Sequence, residues 1–414
     1  MSEARASRYA LLFIFITMFV DTVGLGIVIP VMPRIIVAVR GGTISEAAPY
    51  GGWLFDAYAG MQFLFAPLIG NLSDRFGRRP VLIISLVALG IDYMITGFAP
   101  TIAWLFIARL LSGAAGGAYS TVNAYIADVS PPEKRAANFG LTGAAFGLGF
   151  IAGPAIGGIL GQHDPRLPFF FSAGLSFANA LFGYVVLKES LAKENRRKFE
   201  PVRANPLGSL MALSRFPAIF GLLGVFVLTR FAHDANPSVW TYYTMLKFHW
   251  TSSDVGLSLM AVGLSTSIVY GFLTRLIVPV IGEGRAVISG MLCGAAGFAG
   301  YAFATQGWMM FGWMAVWSFM GLAMPALNAV MSRQVGPDEQ GELQGALASL
   351  GSLTSIAAMP SMSYLFAWFT GGIVGLGAPV YFPGAAFLAA GVCLLAAAVL
   401  YTRTRVAPAL SPAE

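Results

Sequence analysis

Charged residues are scarce in this chain. Asp, Glu, Lys and Arg make up 11% of its 414 residues, whereas hydrophobic residues make up 57%. An ordinary soluble domain has about 25% charged residues, and the mean hydropathy here is +0.73. Because a soluble fold of this size needs far more polar surface, we predict that most of the chain lies in lipid.

The residue patterns of common enzyme sites are also missing. The sequence has three histidines and two cysteines, with no H-x-x-x-H spacing, no cluster of metal ligands and no nucleophile motif. A phosphate-binding GxxxxGK(S/T) loop is absent, which excludes ATP as the driving force. Cys293 and Cys393 lie in apolar stretches and indicate no disulfide framework. We therefore expect no enzyme activity, no metal and no cofactor.

Long apolar windows recur along the chain, each near the length of about twenty residues that a helix needs to cross a bilayer. Because the backbone in lipid must satisfy its own hydrogen bonds, these windows predict helices. An N-terminal signal peptide is disfavoured by Asp21 and by the lack of a small-x-small cleavage site. The sequence thus predicts an all-α integral membrane protein with twelve spans, numbered in chain order: 9–31, 53–72, 81–99, 102–122, 139–160, 168–187, 217–239, 255–274, 286–304, 308–327, 345–367 and 380–402.

Basic residues are distributed very unevenly between the two sides of these spans. One side, which includes both termini, carries nineteen of the 25 Lys and Arg residues. The other side carries Arg34, Arg40, Arg166 and Lys247. By the positive-inside rule, both termini are expected in the cytoplasm of a multi-pass plasma (inner) membrane protein. The net charge of +6 therefore reflects topology, and we expect no nucleic-acid partner.

The longest polar stretch divides the spans into six plus six. Residues 122–140 align without gaps to 327–345, pairing Asn123 with Asn328 and Gly140 with Gly345. Repeated halves are typical of secondary transporters, which bind substrate near the midplane between the repeats. We predict an N-terminal half at 1–187, a cytoplasmic linker at 188–216 and a C-terminal half at 217–414. The charges of the linker are read as a solvated tether.

Several motifs resemble those of the major facilitator superfamily. The loop "GNLSDRFGRRPVL" (70–82) is similar to the signature between its second and third helices. "RLLSGAAGG" (109–117) resembles its fourth-helix motif, and "GLGFIAGPAIGG" (147–158) its antiporter motif in the fifth helix. The order of these segments is similar in detail to tetracycline/proton antiporters, most strongly in the N-terminal half. The resemblance implies the major facilitator fold, with two six-helix halves related by pseudo-two-fold symmetry.

The charged turn at 70–80 contains residues with distinct physical uses. Gly70 allows close helix approach, Gly77 permits a tight turn, and arginine side chains offer forked donors to carboxylates. The resemblance implies that Asp74, Arg78 and Asp128 latch the halves on the cytoplasmic side. The alternative is that the basic cluster anchors topology and touches anionic lipid. The predicted gate motif comprises Gly70, Asp74, Arg75, Gly77, Arg78, Arg79 and Asp128.

The glycine-rich stretch in span 5 predicts tight helix packing. Its small residues stand at helix-contact spacing, and Pro154 removes one backbone hydrogen bond and bends the helix. Only the resemblance implies a link to antiport. The residues of this motif are Gly149, Gly153, Pro154, Gly157 and Gly158.

Six ionisable side chains inside the predicted spans are of particular interest: Asp21, Asp92, Arg109, Arg230, His233 and Asp234. Each costs about 2.5–3.5 kcal/mol at the bilayer centre on insertion scales, so these groups should face a wet cavity and mark function. Asp21, Gln62, Asp92 and Arg109 match polar positions of the tetracycline antiporters. A static ion pair of Arg109 with Asp21 or Asp92 is the alternative to a coupling role. The predicted coupling and substrate cavity comprises Asp21, Gln62, Asp92, Arg109, Asn123, Arg230, His233 and Asp234.

The C-terminal half departs from the antiporter pattern. Tetracycline antiporters carry His in the eighth helix and Asp in the ninth, where this chain has Thr266 and Gly294. Span 7 instead contains Arg230, His233 and Asp234, spaced to share a helix face. Histidine exchanges protons near neutral pH, so one hypothesis moves proton or substrate chemistry to span 7. The other hypothesis is that this span ends early and the three residues lie, well solvated, at the outer mouth.

The aromatic segment "WTYYTMLKFHW" (240–250) follows span 7. Aromatic residues at this position are typical of an interfacial belt. We predict such a belt in preference to a substrate platform.

These patterns favour one function over its alternatives. We predict a secondary active transporter: a proton-coupled antiporter that exports a tetracycline-like or other amphipathic drug. The alternative is a proton-coupled symporter or facilitator that imports a small organic nutrient, because the fold alone does not set direction. The expected partners are a small-molecule substrate, protons and the lipid bilayer, and the protein is expected to function as a monomer.

Overall fold

A computed structural model describes residues 3–116, 119–197, 219–336, 339–373 and 377–404. Its regular structure over these ranges is helical, without strands. The first helices are α1 (Glu3–Val28), α2 (Met32–Arg40), α3 (Ile44–Phe76), α4 (Arg78–Phe98), α5 (Ile102–Gly116), α6 (Tyr119–Val129), α7 (Pro132–His163) and α8 (Leu167–Val186). The remainder are α9 (Phe220–His233), α10 (Ala235–Phe248), α11 (Ser252–Ile268), α12 (Thr274–Ile281), α13 (Glu283–Phe303), α14 (Gly307–Ser318), α15 (Ala323–Ser332), α16 (Gln340–Phe369) and α17 (Ala385–Arg403).

The helices carry the predicted apolar windows. Within the described ranges, eight helical segments are long and apolar enough to cross a membrane, and a ninth results if the bent pair Leu12–Val28 and Met32–Arg40 is one span. The windows at 53–72 and 345–367 lie in α3 and α16, and span 7 is divided between α9 and α10. Large apolar side chains face outward, among them Val280 at 82% and Val185 at 74% exposure. Such a surface is stable only against lipid.

The chain forms two compact units. Unit 1 comprises 1–42, 54–206 and 251–260, and unit 2 comprises 43–53, 207–250 and 261–414. The start of α3 therefore packs with unit 2, and the start of α11 packs with unit 1. Residues 198–216 of the predicted linker lie outside the described part of the chain. The boundaries 1–187, 188–216 and 217–414 stay a prediction.

The interior of unit 1 brings α1, α4, α6 and α7 together. Lipid tails are as apolar as leucine, so these helices gain stability from close van der Waals packing rather than from water exclusion. The buried cluster ends at Leu187, just after α8, and consists of Phe13, Ile14, Met18, Leu82, Val122, Tyr125, Ile126, Ala145 and Leu187.

Three of the four basic residues on the sparsely charged side cap helix C-termini. Arg34 Nη1 donates to the carbonyl of Gly161 at 2.7 Å, and Arg166 donates to the carbonyls of Gly97 and Ala99 at 2.9 and 3.1 Å. Lys247 Nζ donates to the carbonyl of Ala302 at 3.3 Å. The last carbonyls of a helix have no partner within it and carry partial negative charge. These cations therefore have a structural use that does not depend on topology.

The predicted aromatic belt is wrong for the first three of its five rings. Trp240, Tyr242 and Tyr243 are buried inside unit 2, with 2%, 5% and 0% exposure. Trp240 packs edge-on against Tyr301, and the Tyr243 hydroxyl donates to the carbonyl of Tyr301 at 2.5 Å. Trp240 and Tyr243 thus join α10 to α13, and all three rings are part of the core of unit 2.

Candidate functional site

The charged turn connects α3 and α4 and is organised around Arg78. Gly77 has a φ of +107°, which favours glycine, and lets α4 begin at once after α3 ends. Arg78 is 8% exposed. Its guanidinium pairs with Asp74 and donates to Asp128 Oδ2 at 3.3 Å and to Ser73 Oγ at 2.6 Å. Two carboxylates from α3 and α6 thus converge on one buried arginine.

The other residues of the predicted gate motif occupy the edge of this turn. Arg75 is exposed and lies 5.1 Å from the centre of the Phe76 ring. Arg79 donates to the carbonyl of Tyr184 at 2.6 Å and lies over its ring. Gly70 faces Ser120, whose hydroxyl would lie 3.4 Å from an added Cβ. The roles of Arg75 and Arg79 stay a sequence prediction.

Unit 1 contains a cavity of about 220 Å³ within its helix bundle. Four of the predicted coupling residues lie in its wall: Asp21 on α1, Gln62 on α3, Asp92 on α4 and Arg109 on α5. The same wall includes Tyr58, Tyr93 and Ser112. Asn123, half-buried on α6, is not among the lining residues. Four helices therefore supply acidic, basic and amide groups to one cavity.

A buried ion pair stands at one side of this cavity. Arg109 Nη2 donates to both carboxylate oxygens of Asp92, at 2.8 and 3.0 Å. The two side chains are 9% and 0% exposed. Arg109 therefore forms its ion pair with Asp92 and not with Asp21. The side chain of Asp21 makes neither an ion pair nor a hydrogen bond with the described residues.

Gln62 is held at the cavity wall by two polar contacts. Its Nε2 lies 3.3 Å from the Tyr58 hydroxyl and 3.4 Å from the carbonyl of Gly116. The amide oxygen of Gln62 makes no hydrogen bond with the described residues, so the side chain can offer an acceptor to a ligand. Tyr58 and Gln62 are one turn apart on α3 and share the face toward α5.

Span 7 breaks at Asp234 in unit 2. Asp234 is 1% exposed, and its carboxylate accepts from Ser355 Oγ on α16 at 2.5 Å. Arg230 donates to the same serine hydroxyl at 3.1 Å and lies 3.5 Å from Asp234 Oδ2. His233 Nδ1 lies 3.3 Å from Asp234 Oδ1, and its ring packs against Trp317 at 6.1 Å.

This geometry corrects one of the two hypotheses for span 7. A well-solvated outer mouth is wrong for Asp234, because its side chain is buried between α9 and α16. Arg230 and His233 remain 40% and 37% exposed. At the positions where the resemblance implied titratable groups, Thr266 bonds to the carbonyl of Val262 in its own helix, and Gly294 packs against Met320 and Leu394.

The glycine motif on α7 brings that helix against α1. An added Cβ would lie 2.7 Å from Thr22 Cβ at Gly149 and 2.6 Å from the carbonyl oxygen of Val23 at Gly153. Gly157 meets Ile27 in the same way, and Pro154 approaches Gly26. Gly158 faces the other side, where an added Cβ would lie 3.0 Å from the Cα of Gly256 at the start of α11.

Three polar residues of interest escaped the sequence reasoning. Asp56 lies inside span 2 and has one buried carboxylate oxygen without a hydrogen-bond partner among the described residues; its position in an apolar window was the available signal. Ser355 and Glu189 gain their importance from contacts with residues 121 and 111 positions away. No local pattern in the sequence indicates either contact.

Comparison with known proteins identifies the class of protein. The model of the Major Facilitator Superfamily matches residues 14–359. Tetracycline resistance protein, class C, of Escherichia coli is 39% identical over 363 residues, which are 87% of this chain and 90% of that protein. Tetracycline resistance protein, class G, of Vibrio anguillarum is 37% identical and covers 84% of this chain and 87% of its own length.

A solved structure agrees in fold. The crystal structure of the human organic anion transporter MFSD10 (TETRAN) has a TM-score of 0.68 at 22% identity, with 95% of this chain and 99% of that chain covered. The chain belongs to the Major Facilitator Superfamily, which confirms the predicted fold class. It is accordingly a multi-pass membrane transporter for a small-molecule substrate rather than an enzyme.

Proposed function

We propose that this protein is a proton-driven antiporter that exports a tetracycline-like amphipathic compound. The observation that supports this proposal most directly is the cavity of about 220 Å³, whose wall contains both Asp21 and the Asp92–Arg109 pair. The similarity to two tetracycline resistance proteins supports the choice of compound. The protein would act as a monomer in the inner membrane. The distribution of basic residues supports a cytoplasmic location for both termini.

Within the cavity, we assign different tasks to the two carboxylates. Asp21 has no cationic partner among the described residues, so it is free to exchange a proton or to bind a cationic group of the substrate. Asp92 is tied to Arg109 by two hydrogen bonds and keeps the cavity wall charged but paired. Gln62 would add a hydrogen-bonding group for substrate. A role for Asn123 in the coupling and substrate cavity stays a sequence prediction.

The driving force is sufficient for useful export. One proton that moves inward across 100 mV yields about 2.3 kcal/mol from the potential alone. At about 1.4 kcal/mol per factor of ten, this corresponds to roughly 40-fold concentration of the exported compound. Exchange of one proton per cycle for one molecule without net charge is therefore enough for useful export, whereas a cationic substrate would be driven by the pH difference.

The cytoplasmic turn is proposed as the gate. Arg78 is held between Asp74 and Asp128, and a buried arginine with two carboxylates is costly to separate. Asp74→Asn in correctly inserted protein is expected to lower transport, because Arg78 then keeps only one anionic partner. Transport at the wild-type rate would refute the gating role.

In the C-terminal half, we propose that proton or substrate chemistry uses Arg230, His233 and Asp234. The supporting geometry is a continuous chain of contacts from His233 through Asp234 and Ser355 to Arg230. His233→Ala and Asp234→Asn should each change the pH dependence of substrate flux. Unchanged pH profiles in both variants would exclude this site from coupling.

The experiment that tests the function is accumulation of labelled tetracycline in inverted membrane vesicles. An inside-acid pH gradient should drive uptake by the wild-type protein, and a protonophore should abolish it. Asp21→Asn should lose most of the driven uptake, whereas Glu194→Gln, an exposed acid in the linker, should retain it. Absence of driven uptake for tetracycline and for a panel of lipophilic amines would instead favour nutrient import.

A further inference from the structure

The backbone and the leucines of the first part of the predicted linker pack on unit 1, while its charged side chains stay exposed or half-exposed. We call residues 187–197 the strap. Its Leu187 belongs to the buried core cluster, and Leu191 is 9% exposed. The Tyr125 hydroxyl on α6 donates to the carbonyl of Lys188 at 2.9 Å. At the far end, the backbone N–H of Arg197 donates to the carbonyl of Asp74 at 3.1 Å. The strap therefore crosses the cytoplasmic ends of several helices of this unit.

Glu189 in the strap caps the start of α4. Its Oε1 accepts from the backbone N–H of Arg78 at 2.8 Å, and its Oε2 accepts from that of Arg79 at 3.3 Å. The first N–H groups of a helix have no partner within it and carry partial positive charge. The residue before α4 is Gly77, which has no side chain with which to cap it. A carboxylate 111 residues away along the chain supplies the missing cap.

The carboxylate of Glu189 also explains why glycine stands at position 77. An added Cβ there would lie 2.7 Å from Glu189 Cδ and 3.1 Å from Arg196 Nη2. The positive φ favours glycine, and a side chain at position 77 would also displace the Glu189 carboxylate from the start of α4.

The strap shares a carboxylate with the gate. Ser190 Oγ donates to Asp128 Oδ2 at 2.9 Å, and Arg78 Nε donates to the same oxygen at 3.3 Å. Arg78 is therefore held at both ends: its backbone by Glu189, and its guanidinium by Asp74 and Asp128. A shift of the strap must move the backbone from which the gate arginine extends.

We propose that Glu189 is a positioning residue of the cytoplasmic gate, through which the strap holds the charged turn in place. Glu189 does not line the cavity and need not touch substrate. It fixes the start of α4, and through it Arg78, in the arrangement that pairs with Asp74 and Asp128. That Glu189 positions the turn follows from these contacts. The consequence for transport also rests on the proposed gating role of Arg78.

The test compares Glu189→Gln and Glu189→Asp with the control Glu194→Gln in the full-length protein. Glu194 is exposed, lies five residues further along, and makes no hydrogen bond or ion pair with α4 among the described residues. Hydrogen exchange at the first turn of α4 should be about fivefold faster in Glu189→Gln, the usual effect of removing a helix cap. Glu189→Asp keeps the charge and should recover part of the protection. Glu194→Gln should exchange as wild type.

The same variants are then measured for tetracycline transport in vesicles with matched protein content. Glu189→Gln should lower the maximal rate several-fold and leave KM within twofold, because the cavity is unchanged and only the gate is displaced. Wild-type exchange at α4 in Glu189→Gln would overturn the cap. Faster exchange with an unchanged maximal rate would overturn the positioning role. If the wild-type protein moves no tetracycline, the proposed substrate fails, and the exchange data alone decide whether Glu189 positions the turn.

Discussion

The Asp92–Arg109 pair offers a quantitative prediction about stability. Both side chains are almost wholly buried, and two hydrogen bonds of 2.8 and 3.0 Å join them. Asp92→Asn removes the anion and leaves a buried cation without its charge partner. Two unit charges about 4 Å apart interact by about 4 kcal/mol at an effective dielectric constant of 20. This agrees with the roughly 3–5 kcal/mol that is lost when one partner of a buried pair is removed.

A loss of that size raises the unfolded fraction roughly a hundredfold to several thousandfold, at about 1.4 kcal/mol per factor of ten. The assay is thermal unfolding in mild detergent, followed by the fraction of protein that remains monodisperse on size-exclusion chromatography. Asp92→Asn and Arg109→Gln should each unfold at a markedly lower temperature. Glu194→Gln, which removes an exposed acid, should unfold as wild type.

The double variant makes this prediction sharper. When both charges are removed, no uncompensated ion remains in the interior, so Asp92→Asn with Arg109→Gln should be more stable than the sum of the single losses requires. Wild-type unfolding of Asp92→Asn, or strictly additive losses in the double variant, would refute the view that the pair is buried and mutually dependent.

Three further substitutions test contacts elsewhere. Arg166→Ala should cost about 1.5–3 kcal/mol of stability, because two carbonyls at the end of α4 lose a charged donor; unfolding at the wild-type temperature would contradict the capping. Gly153→Leu should prevent α7 from packing on α1 and sharply reduce the yield of folded protein, whereas Gly143→Leu, where an added Cβ meets nothing within 4 Å, should be tolerated; equal yields would argue against the close contact. Ser355→Ala should cost about 1–3 kcal/mol by removing a donor to a buried carboxylate, whereas Ser352→Ala, whose exposed hydroxyl bonds only within its own helix, should be neutral in the same unfolding assay.

Much of the N-terminal half could be predicted from the sequence because its motifs are local. The charged turn, the glycine spacing on span 5 and the acidic residues in spans 1 and 3 can each be read from a short segment. Composition alone predicted a helical membrane protein. The choice of Asp92 as the partner of Arg109 could not be made this way, since it depends on the rotation of α4 and α5 about their axes.

Other features depend on contacts between distant segments. The charges of residues 188–197 are solvated, as the sequence suggests, but the contact of Glu189 with the start of α4 could not be predicted because it joins segments 111 residues apart. The aromatic segment at 240–250 follows an apolar window and so suggested an interface, whereas Trp240 and Tyr243 pack into the core of unit 2. Asp234 lies near the edge of a predicted window. Its burial could not be predicted because it depends on contact with Ser355 on α16, which is distant in sequence.

Proton exchange for substrate is the central claim, and proton release on addition of substrate tests it most directly. Inverted vesicles loaded with quinacrine are given an inside-acid pH gradient, and tetracycline is then added. Fluorescence should recover as protons leave in exchange for the compound, and vesicles with Asp21→Asn should show no recovery. Tetracycline accumulation without any proton release from the wild-type vesicles would contradict antiport.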